Sequence, residues 1–347
     1  MPNLALANEL KNNFELYYIG SENGMEKGLA EKENIKYYSV TCTKLRRSLS
    51  FSNLLIPFKL ISGKNQAVKL LKKLKPDLVF SKGGYVALPV AMAAHKLKIP
   101  ILTHESDLTL GLANKIAAKY STYTLTSFPE TAQSVKNGLY SGAPIRKSLF
   151  VGRDDPGAPH LQKLDGALRS SRPTTFDKTK PVILVIGGSL GAVKINEIIR
   201  ENLDALLKDY NVFHICGKNN LKEISKKGYH QVEFLHNMEA AFSICDIAIS
   251  RAGSNTLFEL LALKIPSVLI PLSKAASRGD QILNAEYFYK KNIFEMIRQE
   301  GLTFDILKKR LDLIYKNRLN YIKNMKNSGL ITGNEKIIKI ICELINK

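Results

Sequence analysis

Cysteine is scarce: Cys42, Cys216, Cys245 and Cys342 are the only four in 347 residues. They lie far apart with no C-x-x-C pair, which excludes a disulfide framework and the usual zinc spacing. No apolar run reaches the length of about 18 residues that a membrane-spanning helix needs. The opening residues, MPNLALANELKNN, lack a basic stretch leading into an apolar core, so no secretory signal is visible. No Asp-x-Asp pair occurs, so a divalent metal is not required, and no cofactor is expected. Zinc-finger and aromatic-basic RNA-binding signatures are also missing, which argues against nucleic acid as a partner. Together these absences predict a cytoplasmic protein.

Acidic residues are in deficit. Lys and Arg number 51 against 31 Asp and Glu, a formal charge of +20. An anionic membrane surface or a polyanionic substrate would suit that excess, and so would a plain lysine-rich compositional bias. The 45% hydrophobic and 24% charged composition is ordinary for a globular chain and excludes general disorder. The length suggests two domains.

Short apolar runs alternate with longer amphipathic stretches, the signature of α/β layers around parallel sheets. Strands are predicted at 15–19, 35–40, 78–80, 99–103 and 122–126, then at 182–186, 212–216, 247–250 and 267–270. Helix-period stretches lie between them, as at 192–208 and 303–324. Residues 181–347 open as strand, glycine turn and helix, but residues 1–150 open on a helix at 4–11. A doubly wound sheet normally begins with a central strand. The expectation is therefore that a first strand and its glycine turn belong ahead of Met1. Residues 151–180 read as an atypical linker rich in Arg, Asp, Pro and Gly.

Three turns in the second half suit anion and sugar binding. Gly187-Gly188-Ser189-Leu190-Gly191-Ala192 joins a strand to a helix, where backbone N–H groups and the Ser189 hydroxyl can meet a phosphate. Its spacing is neither the G-x-G-x-x-G nor the P-loop pattern. In Ser250-Arg251-Ala252-Gly253-Ser254-Asn255-Thr256-Leu257-Phe258-Glu259, Ser254 is predicted to cap a helix. Asn255 and Glu259 then share a face, and a carboxylate there can accept from both hydroxyls of a ribose. Gln281 and Asn284, three apart, can present amides to a sugar. In the first half, His104 and Glu105 follow a strand and are candidates for acid–base work. Arg146 ends that half, where a cleft between domains would pair it with phosphate. Leu55, Phe58 and Ile61 are apolar among Arg46, Arg47 and Lys64, which suits an anionic membrane interface.

The motifs as a set resemble the MurG family, the bacterial glycosyltransferases that add N-acetylglucosamine to lipid I. They are GGY at 83–85, HES at 104–106, G-x-P-I-R at 142–146, GGS-x-GA at 187–192, S-R-A-G-S-x-T-x-x-E at 250–259 and DQ-x-x-NA at 280–285. The resemblance implies an α/β protein of two Rossmann-like, doubly wound domains (GT-B type), the first missing its first strand. It implies a hexosyltransferase of the family 28 kind, acting with inversion at the sugar. UDP-N-acetylglucosamine would sit mainly on the C-terminal domain, with Arg146, Ser189, Ser254, Asn255, Thr256, Glu259 and Gln281 lining its site. Glu259 would take the ribose, Ser189 the diphosphate, Gln281 with Asn284 the sugar, and the Leu235 backbone the uracil. His104 and Glu105 would face the undecaprenyl-linked acceptor, at the cytoplasmic side of the cell membrane. The last helix would pack back on the N-terminal domain.

Two departures stand out: Asp107 where many relatives have Asn, and Leu190 in place of a frequent Gln. Two other functions fit the same motifs. One is another UDP-sugar-dependent lipid glycosyltransferase; the other is a non-catalytic nucleotide- or membrane-binding remnant.

Overall fold

The structure is a computed structural model that describes residues 2–24, 26–42, 56–150, 176–188, 192–235, 238–275, 277–330 and 332–346. The chain divides into two compact units, Met1–Arg146 with Ile331–Lys347, and Lys147–Leu330. Of the sequence-predicted linker at 151–180, residues 151–175 lie outside the described residues.

Unit 1 alternates helix and strand in the order α1 (Pro2–Leu10), β1 (Tyr17–Gly20), α2 (Glu26–Lys32), β2 (Lys36–Ser39), α3 (Ile56–Leu74) and β3 (Val79–Ser81). It continues through α4 (Ala87–Lys96), β4 (Ile101–Glu105), α5 (Leu112–Ala117), β5 (Tyr123–Thr126), α6 (Pro129–Gln133) and β6 (Gly138–Tyr140). All pairings are parallel, but they fall into two separate sheets, β1-β2 and β3-β4-β5-β6. Successive side chains of a strand point to opposite faces, and β4 shows both faces covered. Ile101 packs with Leu71, Val90 and Ala94 of α3 and α4, whereas Leu102 packs with Leu6 and Leu10 of α1.

Unit 2 is one six-stranded parallel sheet. Its elements are β7 (Val182–Ile186), α7 (Val193–Glu201), α8 (Leu203–Asp209), β8 (Asn211–Ile215), β9 (Tyr229–Val232), α9 (Met238–Ile244) and β10 (Ile247–Ser250). Then come α10 (Ser254–Ala262), β11 (Ser267–Leu269), α11 (Asp280–Lys290), β12 (Glu295–Met296), α12 (Phe304–Lys316) and α13 (Arg318–Lys326). The strand order is β12-β11-β10-β7-β8-β9, with β7 buried along its whole length in the middle. Ile183, Val185, Ile247, Ile249 and Val268 pack against Ile195 and Ile199 of α7 and Leu307 and Leu311 of α12.

Each of the two long helix-period stretches holds two helices. Asn202 ends α7 and turns its amide back onto the Ile198 carbonyl at 2.9 Å. Asn317 does the same between α12 and α13, donating to Leu313 O at 2.9 Å. In each case a short polar side chain competes for the backbone acceptors that would have continued the helix. Strands β6, β9 and β12 were not among the predicted ones. They are the edge strands of their sheets, two to four residues long, and carry little apolar periodicity.

The last helix, α14 (Asn334–Ile345), belongs to unit 1. Ile337 and Ile341 join the Leu6, Leu10, Leu102 and Leu125 cluster. At its start the Asn334 amide imitates a strand neighbour: Oδ1 accepts from Ile145 N at 2.7 Å and Nδ2 donates to Ile145 O at 2.8 Å. Gly333 makes this approach feasible, since a Cβ there would stand 2.6 Å from Gly142 O.

Candidate functional site

Parallel strands end at one edge, and the register of unit 2 puts three of its loops side by side there. Ser250 is level with Ile186 on one flank and Leu269 on the other. With neighbouring strands about 4.8 Å apart, the turns after β7, β10 and β11 start within roughly 10 Å of one another. Gly188, at φ +88°, gives the left-handed bend after β7 with open space where a Cβ would stand. Ser189, the expected diphosphate contact, lies outside the described residues.

The turn after β10 differs from the expectation in its cap. Gly253, extended at φ −70° and ψ 131°, is the residue ahead of the helix; Ser254 is the first helical residue and is buried. Asn255 is exposed, and Thr256 and Glu259 are half-buried, so these three are within reach of a ligand. Leu257, Leu260 and Leu261 face inward. Arg251 is nine-tenths buried and spans to the next loop, donating from Nη1 to Ile270 O at 3.0 Å. Burial lowers its pKa from the ordinary guanidinium value. Sequence reasoning passed over this arginine, although a cation between two small-residue turns is a recognisable signal.

Helix α11 is tied to the same edge. Gln281 Oε1 accepts from Leu272 N at 3.1 Å, and Asn284 Nδ2 donates to Ala252 O at 3.4 Å. The expectation that Asn284 presents its amide to a sugar is corrected. It is fully buried, because residue 284 falls on the inward face with Phe288, and it holds the Ala252 turn. Gln281 remains half-buried, and so does Leu235 beyond β9.

In unit 1 the loops after β3 and β4 are built around two charged side chains. Glu105 is buried and its carboxylate accepts four hydrogen bonds: from Ser106 N at 2.8 Å, Asp107 N at 3.0 Å, Gly111 N at 3.0 Å and Asn114 Nδ2 at 2.8 Å. It is the fastener of the 106–111 loop. Asp107 sits half-buried in that loop. His104 is fully buried, with Lys82 Nζ 2.8 Å from Nδ1 and Gly142 O 3.0 Å from Nε2. The Gly142 carbonyl can only accept, so Nε2 carries the hydrogen, and in the neutral ring Nδ1 accepts from Lys82 Nζ. Burial, and then the neighbouring Lys82, hold the His104 pKa well below its usual value.

The expectation that His104 and Glu105 face an acceptor directly is therefore revised. Both are committed inward and position the loops that carry Ser106, Asp107 and Gly142. Lys82 was missed because a lone lysine in a glycine turn resembles a solvated one. Its Nζ also donates to Ser106 Oγ at 2.6 Å, and loss of solvation brings its pKa down to about 7 despite Glu105 and Asp107. Gly83, at φ +83°, admits only glycine, since a Cβ would stand 2.3 Å from Asn114 Oδ1. Arg146 is half-buried at the end of unit 1. Leu55 lies outside the described residues, while Phe58 and Ile61 on α3 are 71% and 57% exposed.

Two parallel α/β units with small-residue turns along the carboxyl edges of their strands are the architecture of the GT-B glycosyltransferases. Residues 1–126 match the glycosyltransferase family 28 N-terminal domain, and residues 182–341 match its C-terminal domain. A UDP-N-acetylglucosamine--N-acetylmuramyl-(pentapeptide) pyrophosphoryl-undecaprenol N-acetylglucosamine transferase of Clostridium tetani is 44% identical over 98% of this chain and 93% of its own length. Its counterpart in Clostridium botulinum is 46% identical over 100% and 95%. Among solved structures, MurG of Acinetobacter baumannii superposes with a TM-score of 0.72 at 24% identity, over 99% of this chain and 95% of that one. The chain belongs to glycosyltransferase family 28, within its MurG group.

Lys82 supplies a pH signature. In the unfolded chain it keeps its proton up to the ordinary lysine value, whereas in the fold it loses it near pH 7. The unfolded state thus binds more protons between those values, so this residue makes stability rise with pH from about 7 to 10. Lys82→Met is expected to flatten that rise, read as denaturant midpoints against pH. An unchanged slope would show that the amine is solvated.

Proposed function

We infer that this chain transfers N-acetylglucosamine from UDP-N-acetylglucosamine to the 4-hydroxyl of the muramyl sugar in lipid I, forming lipid II for peptidoglycan synthesis. The observation that carries the site assignment is the register of β7, β10 and β11, which gathers the three family turns at one edge of unit 2. In that reading Glu259 and Asn255, near the start of α10, take the ribose. The Gly187–Gly188 turn with Ser189 takes the diphosphate. Gln281 addresses the sugar, Ser254 and Thr256 line the turn, and the Leu235 backbone meets the uracil.

In the reaction the acceptor oxygen forms a bond to the anomeric carbon as the bond from that carbon to the diphosphate oxygen breaks. The electron pair leaves with UDP, the hydroxyl proton passes to solvent or a base, and the anomeric configuration inverts. Backbone N–H groups at a helix start stabilise the negative charge that develops on the diphosphate. Positions held by buried anchors such as Asn284 and Arg251 need no reorganisation at that moment.

The acceptor is lipid-linked, so the protein works at a surface. Among the described residues no helix is long and apolar enough to cross a membrane. Phe58 and Ile61 are instead exposed, one turn apart, on a helix that carries Lys59, Lys64, Lys69, Lys72 and Lys73. Exposed apolar side chains among lysines suit peripheral binding to an anionic cytoplasmic leaflet.

Glu259→Ala removes an acceptor for two ribose hydroxyls and is expected to weaken UDP-N-acetylglucosamine binding by about 1–3 kcal/mol. Calorimetry showing unchanged affinity in a folded variant would remove Glu259 from the site. Replacing Phe58 and Ile61 together by serine is expected to lower binding to anionic vesicles several-fold, with UDP-sugar affinity unchanged. Vesicle sedimentation that is the same for both proteins would contradict the membrane reading.

A further inference from the structure

Three polar side chains of unit 2, Asn196, His214 and Tyr229, are buried in a layer that is otherwise apolar. Strand β8 is buried along its whole length, and residues 212 and 214 share one face. Val212 on that face packs against Ile195 and Ile199 of α7. An apolar residue would serve equally at 214, yet a histidine stands there, with Asn196 of α7 opposite it.

Their hydrogen bonds form a chain with one direction. Asn196 Nδ2 donates to Cys216 O at 2.8 Å, which leaves Oδ1 to face His214 Nε2 at 2.9 Å. Nε2 therefore carries the ring hydrogen, and Nδ1 accepts from the Tyr229 hydroxyl at 3.0 Å. Burial brings the His214 pKa down to about 3, with Arg200 adding to the effect, so the ring is neutral at working pH.

The chain ends at the ligand edge of the sheet. Ile186 and Ile215 are paired, so Cys216 leaves β8 beside Gly187, where the turn after β7 begins. Asn196 lies in the first turn of α7, and its own N–H closes that turn onto Ala192 O at 2.8 Å. One side chain thus ties the start of α7 to the first residue beyond β8. Apolar packing of Ile195 and Ile199 is non-directional and permits sliding, whereas hydrogen bonds fix a position along the helix axis.

We propose that His214, Asn196 and Tyr229 are positioning residues for the transfer reaction. They hold the start of α7 where its backbone N–H groups meet the diphosphate of the nucleotide sugar. This rests on the reading that the Gly187–Gly188 turn takes the diphosphate. All three side chains are buried, so they act through the backbone, whose donors then stand in place as charge develops on the leaving group. Stability alone does not require a polar trio, because replacing both partners of a buried bond by apolar groups of like shape costs little.

The experiment separates position from stability. His214→Leu leaves Asn196 Oδ1 without its donor. It is expected to lower the melting temperature and to weaken UDP binding about tenfold by calorimetry. Uridine, which has no phosphate, is expected to bind unchanged in an NMR titration. Adding Asn196→Leu removes the other partner, and the double variant is expected to regain most of the melting temperature but not the UDP affinity. His214→Gln, whose amide can still donate to Asn196, is expected to recover much of that affinity. Tyr229→Phe removes one hydroxyl from the end of the chain and is expected to cost about two- to threefold in UDP affinity, which keeps the test open if the leucine variants do not fold. UDP affinity that returns with stability in the double variant would overturn the proposal, and so would equal weakening of uridine and UDP. Full UDP affinity in Tyr229→Phe, with the leucine variants unfolded, would overturn it too. An unaltered protein that binds UDP no more tightly than uridine would overturn the diphosphate assignment, and the proposal with it.

Discussion

Parallel backbone pairing in fixed register is the constraint on which the rest of this molecule depends. Each strand of a parallel sheet runs the same way, so every strand-to-helix turn emerges at one edge. In unit 2 the level pairing of Ile186, Ser250 and Leu269 brings together turns separated by tens of residues in sequence. A one-residue slip would send each inward side chain to the other face and pull the turns out of line. Burial of β7 on both faces makes such a slip costly.

Register alone leaves loops loose, and the two units fix theirs by one device. A buried polar side chain from a neighbouring element satisfies the backbone of the loop. Glu105 and Asn114 hold the 106–111 segment, Asn284 and Gln281 hold the turns after β10 and β11, and Arg251 spans between these. Each of these groups is costly to bury unless it is bonded, so the loops and their anchors order one another. A site for a charged, flexible nucleotide sugar gains from that order, because the donors stand in place before the ligand arrives.

Much of this was legible in the amino-acid pattern. Central strands such as Val182–Ile186 announce themselves as unbroken apolar runs, and the glycine turns mark the functional edge. Edge strands β6, β9 and β12 lacked that contrast, and Asn202 and Asn317 broke helices that apolar periodicity alone would carry through. The site residues divide along the same line. Asn255 and Glu259, four apart, fall on an accessible face, as their spacing suggested. The inward turn of Asn284, His104 and Glu105 depends on which face of each element meets the sheet, and that is set by tertiary packing. Lys82 was invisible for a similar reason, since its partners His104 and Ser106 are supplied by the next strand and its loop.

Transfer itself is the most direct test of the central claim. Radiolabelled UDP-sugars are offered to the 347-residue protein with lipid I in anionic vesicles. Lipid-linked product and released UDP are then counted. The account predicts lipid II and an equal amount of UDP from UDP-N-acetylglucosamine. Preferred transfer of a different sugar, or donor binding with no lipid II formed, would contradict it.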